Sequence, residues 1–142
     1  MKVLAPRLPA TLAHVPELER LRLSSIDSIE ADPGLLDAFA SDERLMPHLH
    51  LSLQSGDDLI LKRMKRPGTG TTYRRLLDRI RTRVPGVALR TTLIVGFPGE
   101  TDEDFEASLR LLRAARFENS FSFVFSPRPH TGAALHLGSA PE

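Results

Sequence analysis

The run Leu89 to Thr101, LRTTLIVGFPGET, constrains the fold more than any other stretch of the chain. Leu89, Thr91 and Leu93 to Val95 are aliphatic or β-branched and stop abruptly at Gly96, which predicts a strand covered by helices, as in a parallel sheet. Past the turn, Thr101 is placed to cap a helix whose first turn carries Asp102, Glu103 and Asp104, negative charge at the positive end of the helix dipole. Asp104 stands where a capping box prefers Glu or Gln. Gly96 and Gly99 flank Phe97 and Pro98, so the turn permits unusual backbone angles or the close approach of a ligand to bare main chain. On spacing alone a plain βα turn and a ligand-facing turn both stay open.

Similar units precede and follow it. Leu21 to Ser25, LRLSS, alternates and predicts a strand; Asp32 as cap, Pro33 at the first helical position and the stripe Leu35, Leu36, Phe39 predict a helix. His48 to Gln54, HLHLSLQ, has a strict period of two, with Leu49, Leu51 and Leu53 on one face and His48, His50, Ser52 and Gln54 on the other. If such a strand sits in a barrel, the leucines meet the outer helices and the polar row points inside, where it needs partners. Gly56 ends the strand, and a short helix from Leu59 to Arg66 closes at Pro67-Gly68. Thr72 opens an amphipathic helix through Tyr73, Leu76, Leu77, Ile80 and Val84. The helix Asp102 to Arg116 is expected to bury Phe105, Leu109 and Leu112, and Phe121 to Phe125 gives a last strand before Pro127 and Pro129. Near the start, Leu8 to Val15 predicts a short helix bracketed by Pro9 and Pro16.

The order is therefore β, α, β, α, β, α, β with crossovers long enough for parallel pairing. Four such strands make either an open doubly wound sheet or part of a (β/α) barrel; in both, ligands bind at the carboxyl ends, where Ser24, Ser25, Gln54, Ser55, Gly96 and Ser126 gather. The 142 residues suit one domain. With 41% hydrophobic residues, no long apolar run and no secretory-type segment at Met1 to Pro9, the expected location is cytoplasmic, without a membrane. Cysteine is absent, which excludes disulfides, thiolate zinc and any cysteine-held iron–sulfur cluster on this chain. Asp57 to Arg90 holds ten Lys or Arg against three Asp, a basic flank suited to phosphate contact or to a solvated helix face. His48 and His50 have metal-ligand-like spacing but no third ligand in the sequence, so a hydrogen-bonding role is expected and no metal site.

Four motifs in one order, HLHLSLQSGDD, RMKRPG, LRTTLIVGFPGETDEDF and FSPRPHTGAA, closely resemble the radical S-adenosylmethionine methylthiotransferases that modify tRNA or a ribosomal protein. The resemblance covers residues 17–137. SSIDS and HLHLSLQSGDD look most like the branch that methylthiolates threonylcarbamoyladenosine beside the tRNA anticodon, and RMKRPG and LRTTLIVGFPGET also look like the ribosomal-protein branch. The fold implied is an α/β partial TIM-type barrel of about four parallel strands with crossover helices. Residues 1–20 would lead into it, 21–137 would form the half-barrel, and 138–142 would be a tail.

The resemblance implies S-adenosylmethionine as cofactor, with Ser52, Gln54, Arg90, Thr92, Gly96, Val124 and Phe125 facing it. Ser52 and Gln54 would meet its methionine or ribose part, Arg90 its carboxylate, and Val124 and Phe125 its adenine. A salt bridge from Arg90 to Asp27 is the competing role for that guanidinium. In the family a CxxxCxxC loop holds a four-iron four-sulfur cluster, for which this chain has no ligands and hence no catalytic residue of its own. His130 also replaces the Gly, and Gly132 the Pro, common in the family's SPRPGT loop. The resemblance thus implies a cluster-less, inactive piece of a tRNA methylthiotransferase that binds the cofactor weakly. The alternatives are a non-catalytic half-barrel that pairs with a cysteine-bearing chain, and an unrelated α/β enzyme for another small molecule. Raw strand edges at LRLSS and FSFVF predict self-association.

Overall fold

The alternation of HLHLSLQ sets the architecture. In the computed structural model, which describes residues 7–28 and 31–135, Leu49, Leu51 and Leu53 are buried while His48, His50, Ser52 and Gln54 are half-buried on the opposite face. The elements are α1 (Arg7–His14), β1 (Ser25–Ile26), α2 (Pro33–Ser41), β2 (His48–Gln54), α3 (Asp58–Arg63), α4 (Gly70–Arg83), β3 (Ala88–Val95), α5 (Asp102–Ala115), β4 (Asn119–Val124) and α6 (Gly132–Leu135). The tail expected over residues 138–142 and the first six residues of the leading segment lie outside the described residues.

The four strands pair in parallel in the order β1-β2-β3-β4. The leucine face of β2 and the Leu89, Thr91, Leu93 face of β3 are buried against one layer formed by α2, α4 and α5. Because helices cover one face only, the sheet is a half-barrel and not a doubly wound sheet. Its concave face carries His48, His50, Ser52, Gln54, Arg90, Thr92 and Ile94.

Local signals start the helices where the sequence places them. Asp32 accepts from the Leu35 amide ahead of Pro33, and Asp57 accepts from that of Ile60. Thr101 and Asp104 complete a reciprocal capping box despite the shorter acid. The long amphipathic helix begins two residues earlier than expected, because Thr69 forms its own box with Thr72.

Two expectations are corrected. LRLSS is not one strand: Leu21 bridges to Leu45, whereas Ser25 pairs with His50. The two pairings differ by one residue in offset, so no continuous ladder joins them. In α5 the buried stripe is Ser108, Leu111 and Ala115, while Phe105 is exposed and Leu109 and Leu112 are half-buried. The helix is rotated because Ser108 sits directly on Gly56, where the missing side chain lets the two backbones meet.

Candidate functional site

The βα turn after β3 is built from two left-handed glycines, Gly96 at φ 70° and Gly99 at φ 80°. The Glu100 carboxylate accepts the amides of Gly96 and Phe97 and so closes the turn on itself. Burial holds that carboxyl above its ordinary value, although the two amides pull it down. The local signal for Glu100 in this role is its position four residues after a turn glycine. A side chain at Gly96 would meet nothing within 4 Å, so its main chain is open to a ligand, whereas one at Gly99 would collide with the Arg63 guanidinium.

Beside this turn, β2 ends on Gln54 with φ 74°, a left-handed backbone that a residue with a side chain adopts only under constraint. The constraint is visible below it. Arg66 joins the Asp27 carboxylate to the carbonyl of Ser52 at 2.7 Å, and the Tyr73 hydroxyl donates to that same carbonyl at 3.3 Å. Thus Asp27 pairs with Arg66, and Arg90 belongs to none of the ion pairs among the described residues.

Gln54, Ile94, Phe97 and Gly99 line a cleft of about 870 Å3 at the carboxyl ends of β2 and β3, closed on the far side by Lys65, Arg66 and His130 to Ala133. Phe125 packs edge-on against Phe97, ring centres 5.2 Å apart. The Gln54 Oε1 atom is shielded from solvent and has no hydrogen-bond partner among the described residues. His130 holds φ 64°, the backbone for which glycine is the ordinary residue.

The residues predicted to face the cofactor divide into two groups. Gln54 lines the cleft, whereas Gly96 and Phe125 adjoin it only through Phe97, the one preceding it in the turn and the other packed edge-on against its ring. Arg90 and Thr92 do neither: Arg90 pairs in register with His50, while Gln54 pairs with Leu93 three residues further along β3. Thr92 accepts or donates to His50 Nε2 at 2.7 Å, low on the concave face. Ser52 contributes its carbonyl to the Arg66 network. Val124 is 78% exposed, and strand alternation turns it away from the face that Phe123 occupies. Among the described residues no group of three or more His, Cys, Asp or Glu could hold a metal ion. No described helix is long and apolar enough to cross a membrane.

Burial, and then the charge of Arg90, hold the His48 and His50 imidazoles below their ordinary value of 6.5. The unfolded chain therefore takes up these protons first as the pH falls below 6.5, and the stability they contribute is lost towards their folded-state values. Glu100 works the other way: its raised value gives a contribution that is complete at low pH and lost as its carboxyl ionises. We expect urea midpoints to drop from about pH 7.5 to about pH 5.5, and the drop to shrink in the His48→Gln/His50→Gln double variant. An unchanged drop would place the acid sensitivity elsewhere.

A half-barrel of parallel strands with a glycine-turn cleft at their carboxyl ends defines the class, and comparison with known proteins gives the family. The Radical SAM superfamily profile matches residues 10–112, and the chain belongs to that superfamily. It is similar to proteins named tRNA-2-methylthio-N(6)-dimethylallyladenosine synthase: 53% identical over 131 residues in Anaeromyxobacter sp. (strain K) and 46% over 123 residues in Myxococcus xanthus (strain DK1622). These matches cover 92% and 87% of this chain and 28% and 27% of the relatives, so the chain spans about a quarter of their length. Their name carries dimethylallyladenosine, not the threonylcarbamoyladenosine of the branch that SSIDS suggested. Among solved structures, the chain superposes with a TM-score of 0.70 on a radical S-adenosylmethionine methyltransferase, TsrM, from Kitasatospora setae, at 19% identity. That alignment covers 94% of this chain and 26% of the other, and it shows the fold.

Proposed function

We propose that this chain is the cofactor-facing half-barrel of a tRNA methylthiotransferase acting on an adenosine of the dimethylallyl type, and that the cleft takes the nucleoside part of S-adenosylmethionine. The observation that carries the reading is the orphaned Gln54 Oε1 on a left-handed strand end that lines the cleft, beside a turn where nothing lies within 4 Å of the space a Gly96 side chain would take. A buried acceptor without a partner costs about 1–3 kcal/mol, and a ribose hydroxyl or adenine amino group removes that cost. Ile94 and Phe97, the latter backed edge-on by Phe125, offer the apolar surface a purine needs. The relatives' names supply the substrate class, and the +7 segment from Asp57 to Arg90 suits an RNA partner.

The two cofactors of the superfamily fare differently here. S-adenosylmethionine fits the cleft, and when bound it supplies an activated sulfonium carbon; Gln54 would orient the nucleoside and Phe97 with Phe125 would exclude water from it. The iron–sulfur cluster does not fit, since the chain has no cysteine and its described residues offer no alternative ligand cluster. No step is routed through it.

Calorimetry tests the reading. S-adenosylmethionine and 5'-methylthioadenosine are expected to bind with similar, weak affinity, because only the nucleoside they share finds partners. Gln54→Ala is expected to weaken both by about tenfold, the loss of one hydrogen bond to a buried group. Submicromolar binding of S-adenosylmethionine with no binding of methylthioadenosine would overturn it.

A further inference from the structure

The apolar stripe that periodicity picks out on α5, Phe105, Leu109 and Leu112, is not the one the helix buries. Ser108, Leu111 and Ala115 face the interior, which leaves Phe105 37% exposed and Leu109 and Leu112 half-buried along one flank. Leu111 turns towards α4, its Cδ2 lying 4.0 Å from where a Cβ on Gly70 would stand, so the stripe lies on the side away from α4. On that side the helix layer ends. Ser120, Ser122 and Val124 pair in register with Thr91, Leu93 and Val95 and so point to the helix side of the sheet, yet every residue of β4 is exposed. The flank of α5 and the outer side of β4 thus form one uncovered step on the convex side of the half-barrel.

We propose that this step is the interface of a symmetric dimer, in which α5 of a second copy of this chain lies antiparallel against α5 and crosses it at Leu109. The charge pattern names the occupant. The first half of α5 carries Asp102, Glu103, Asp104 and Glu106 and no base, whereas the second half carries Arg110 and Arg113, with Arg116 at the cap, and no acid. Turned end for end about Leu109, the helix sets Asp102 beside the partner's Arg116, Phe105 beside the partner's Leu112, and Glu106 within a turn of the partner's Arg113. Asp102, Glu106, Arg113 and Arg116 are all exposed, and none belongs to an ion pair among the described residues. The antiparallel arrangement also opposes the two helix dipoles. A nucleic acid would be repelled by the acidic half, and a foreign helix would have to repeat this charge order in reverse, which α5 itself already does. Two helices of 14 residues, each about 21 Å long, bury less than a standard interface of about 1,600 Å2, so the dimer exchanges with monomer at micromolar concentration. It depends on neither the cleft nor an RNA partner.

Sedimentation equilibrium of the 142-residue chain is the test, and a monomer–dimer equilibrium in the micromolar range is expected. Glu106→Arg and Arg113→Glu are each expected to weaken the dimer about tenfold, because the two-fold axis makes every substitution act twice. The Glu106→Arg/Arg113→Glu variant, which restores opposite charges across the axis, is expected to return to wild-type affinity. Circular dichroism checks that each variant keeps its fold. The chain has no cysteine, so Leu109→Cys introduces a single thiol at the crossing point. Mild oxidation is expected to link that variant into a dimer, and to link Ala114→Cys, on the opposite flank of α5, far less. A chain that stays monomeric throughout the micromolar range overturns the inference. So does a dimer that survives both charge reversals, a double variant no tighter than the single ones, or equal cross-linking of the two cysteine variants.

Discussion

Gly56→Ala is expected to destabilise the chain by about 3 kcal/mol, a fall in Tm of about 10 °C for a domain of this size. A Cβ at Gly56 would lie 2.6 Å from Ser108 Cα, 2.7 Å from the Ala107 carbonyl oxygen and 2.9 Å from the Ser108 amide. All three atoms are backbone of α5, so no side-chain rotation relieves the clash and the helix has to move off the sheet. That movement also breaks the 2.8 Å bond from the Gly56 amide to Ser108 Oγ and strips cover from Leu53 and Leu93. Gly132→Ala is the control, since a side chain there meets nothing within 4 Å. Denaturant midpoints should leave the control within about 0.5 kcal/mol of wild type. Trimming Ser108 to alanine should not rescue Gly56→Ala, because the obstacle is main chain. A Gly56→Ala chain as stable as wild type would mean that α5 does not rest on this loop.

Elements whose cause is local were legible in the sequence. The period of β2, the Asp32-Pro33 start of α2 and the Thr101 cap of α5 depend on residues within four positions of one another, and each stands where it was expected. What depended on distant partners was not legible. The choice between half-barrel and doubly wound sheet needed the side on which the helices pack. The face of α5 was decided by one missing side chain at Gly56, far away in sequence. Apolar periodicity favoured Phe105 and Leu112 there because it weighs a buried serine as an outlier. The break in LRLSS followed from a register offset against residues 45 to 50 that no local pattern records.

The site shows the same division. Gly96 was identified because glycine spacing is a local signal, and Gln54 because it shares the polar face of β2. The sequence could not show that Arg90 and Thr92 belong with His50 and not with Gln54, since this depends on how β3 slides past β2. The pairing of Asp27 with Arg66 likewise joins β1 to the segment after α3 across 39 residues. Arg90 thereby stays outside the ion pairs of the described residues, and the row expected to face one ligand divides between the strand ends and the level of His50 lower on the concave face.

The slide between β2 and β3 is held by a single hydroxyl, and removing it should cost about 2 kcal/mol and loosen the cleft. From Leu51 to Gln54 the second strand advances three residues while its partner advances two, from Thr91 to Leu93. Thr91 is fully buried at this irregularity. Its hydroxyl donates to the Leu51 carbonyl at 2.8 Å and accepts the Leu53 amide at 3.3 Å, serving the two backbone groups that the shifted ladder would otherwise strand. Thr91→Val keeps the shape and loses both bonds, leaving a buried donor and acceptor unpaired; Thr91→Ser keeps both bonds and loses one methyl group, so its loss should be about half as large. Because the extra residue is what brings β2 to its left-handed end, the valine variant should also bind 5'-methylthioadenosine more weakly in calorimetry, while the serine variant binds it as wild type does. Equal stability of the two variants would remove the hydroxyl from this role. Equal nucleoside binding despite the stability difference would show that Gln54 holds its conformation through the Arg66 and Tyr73 bonds alone.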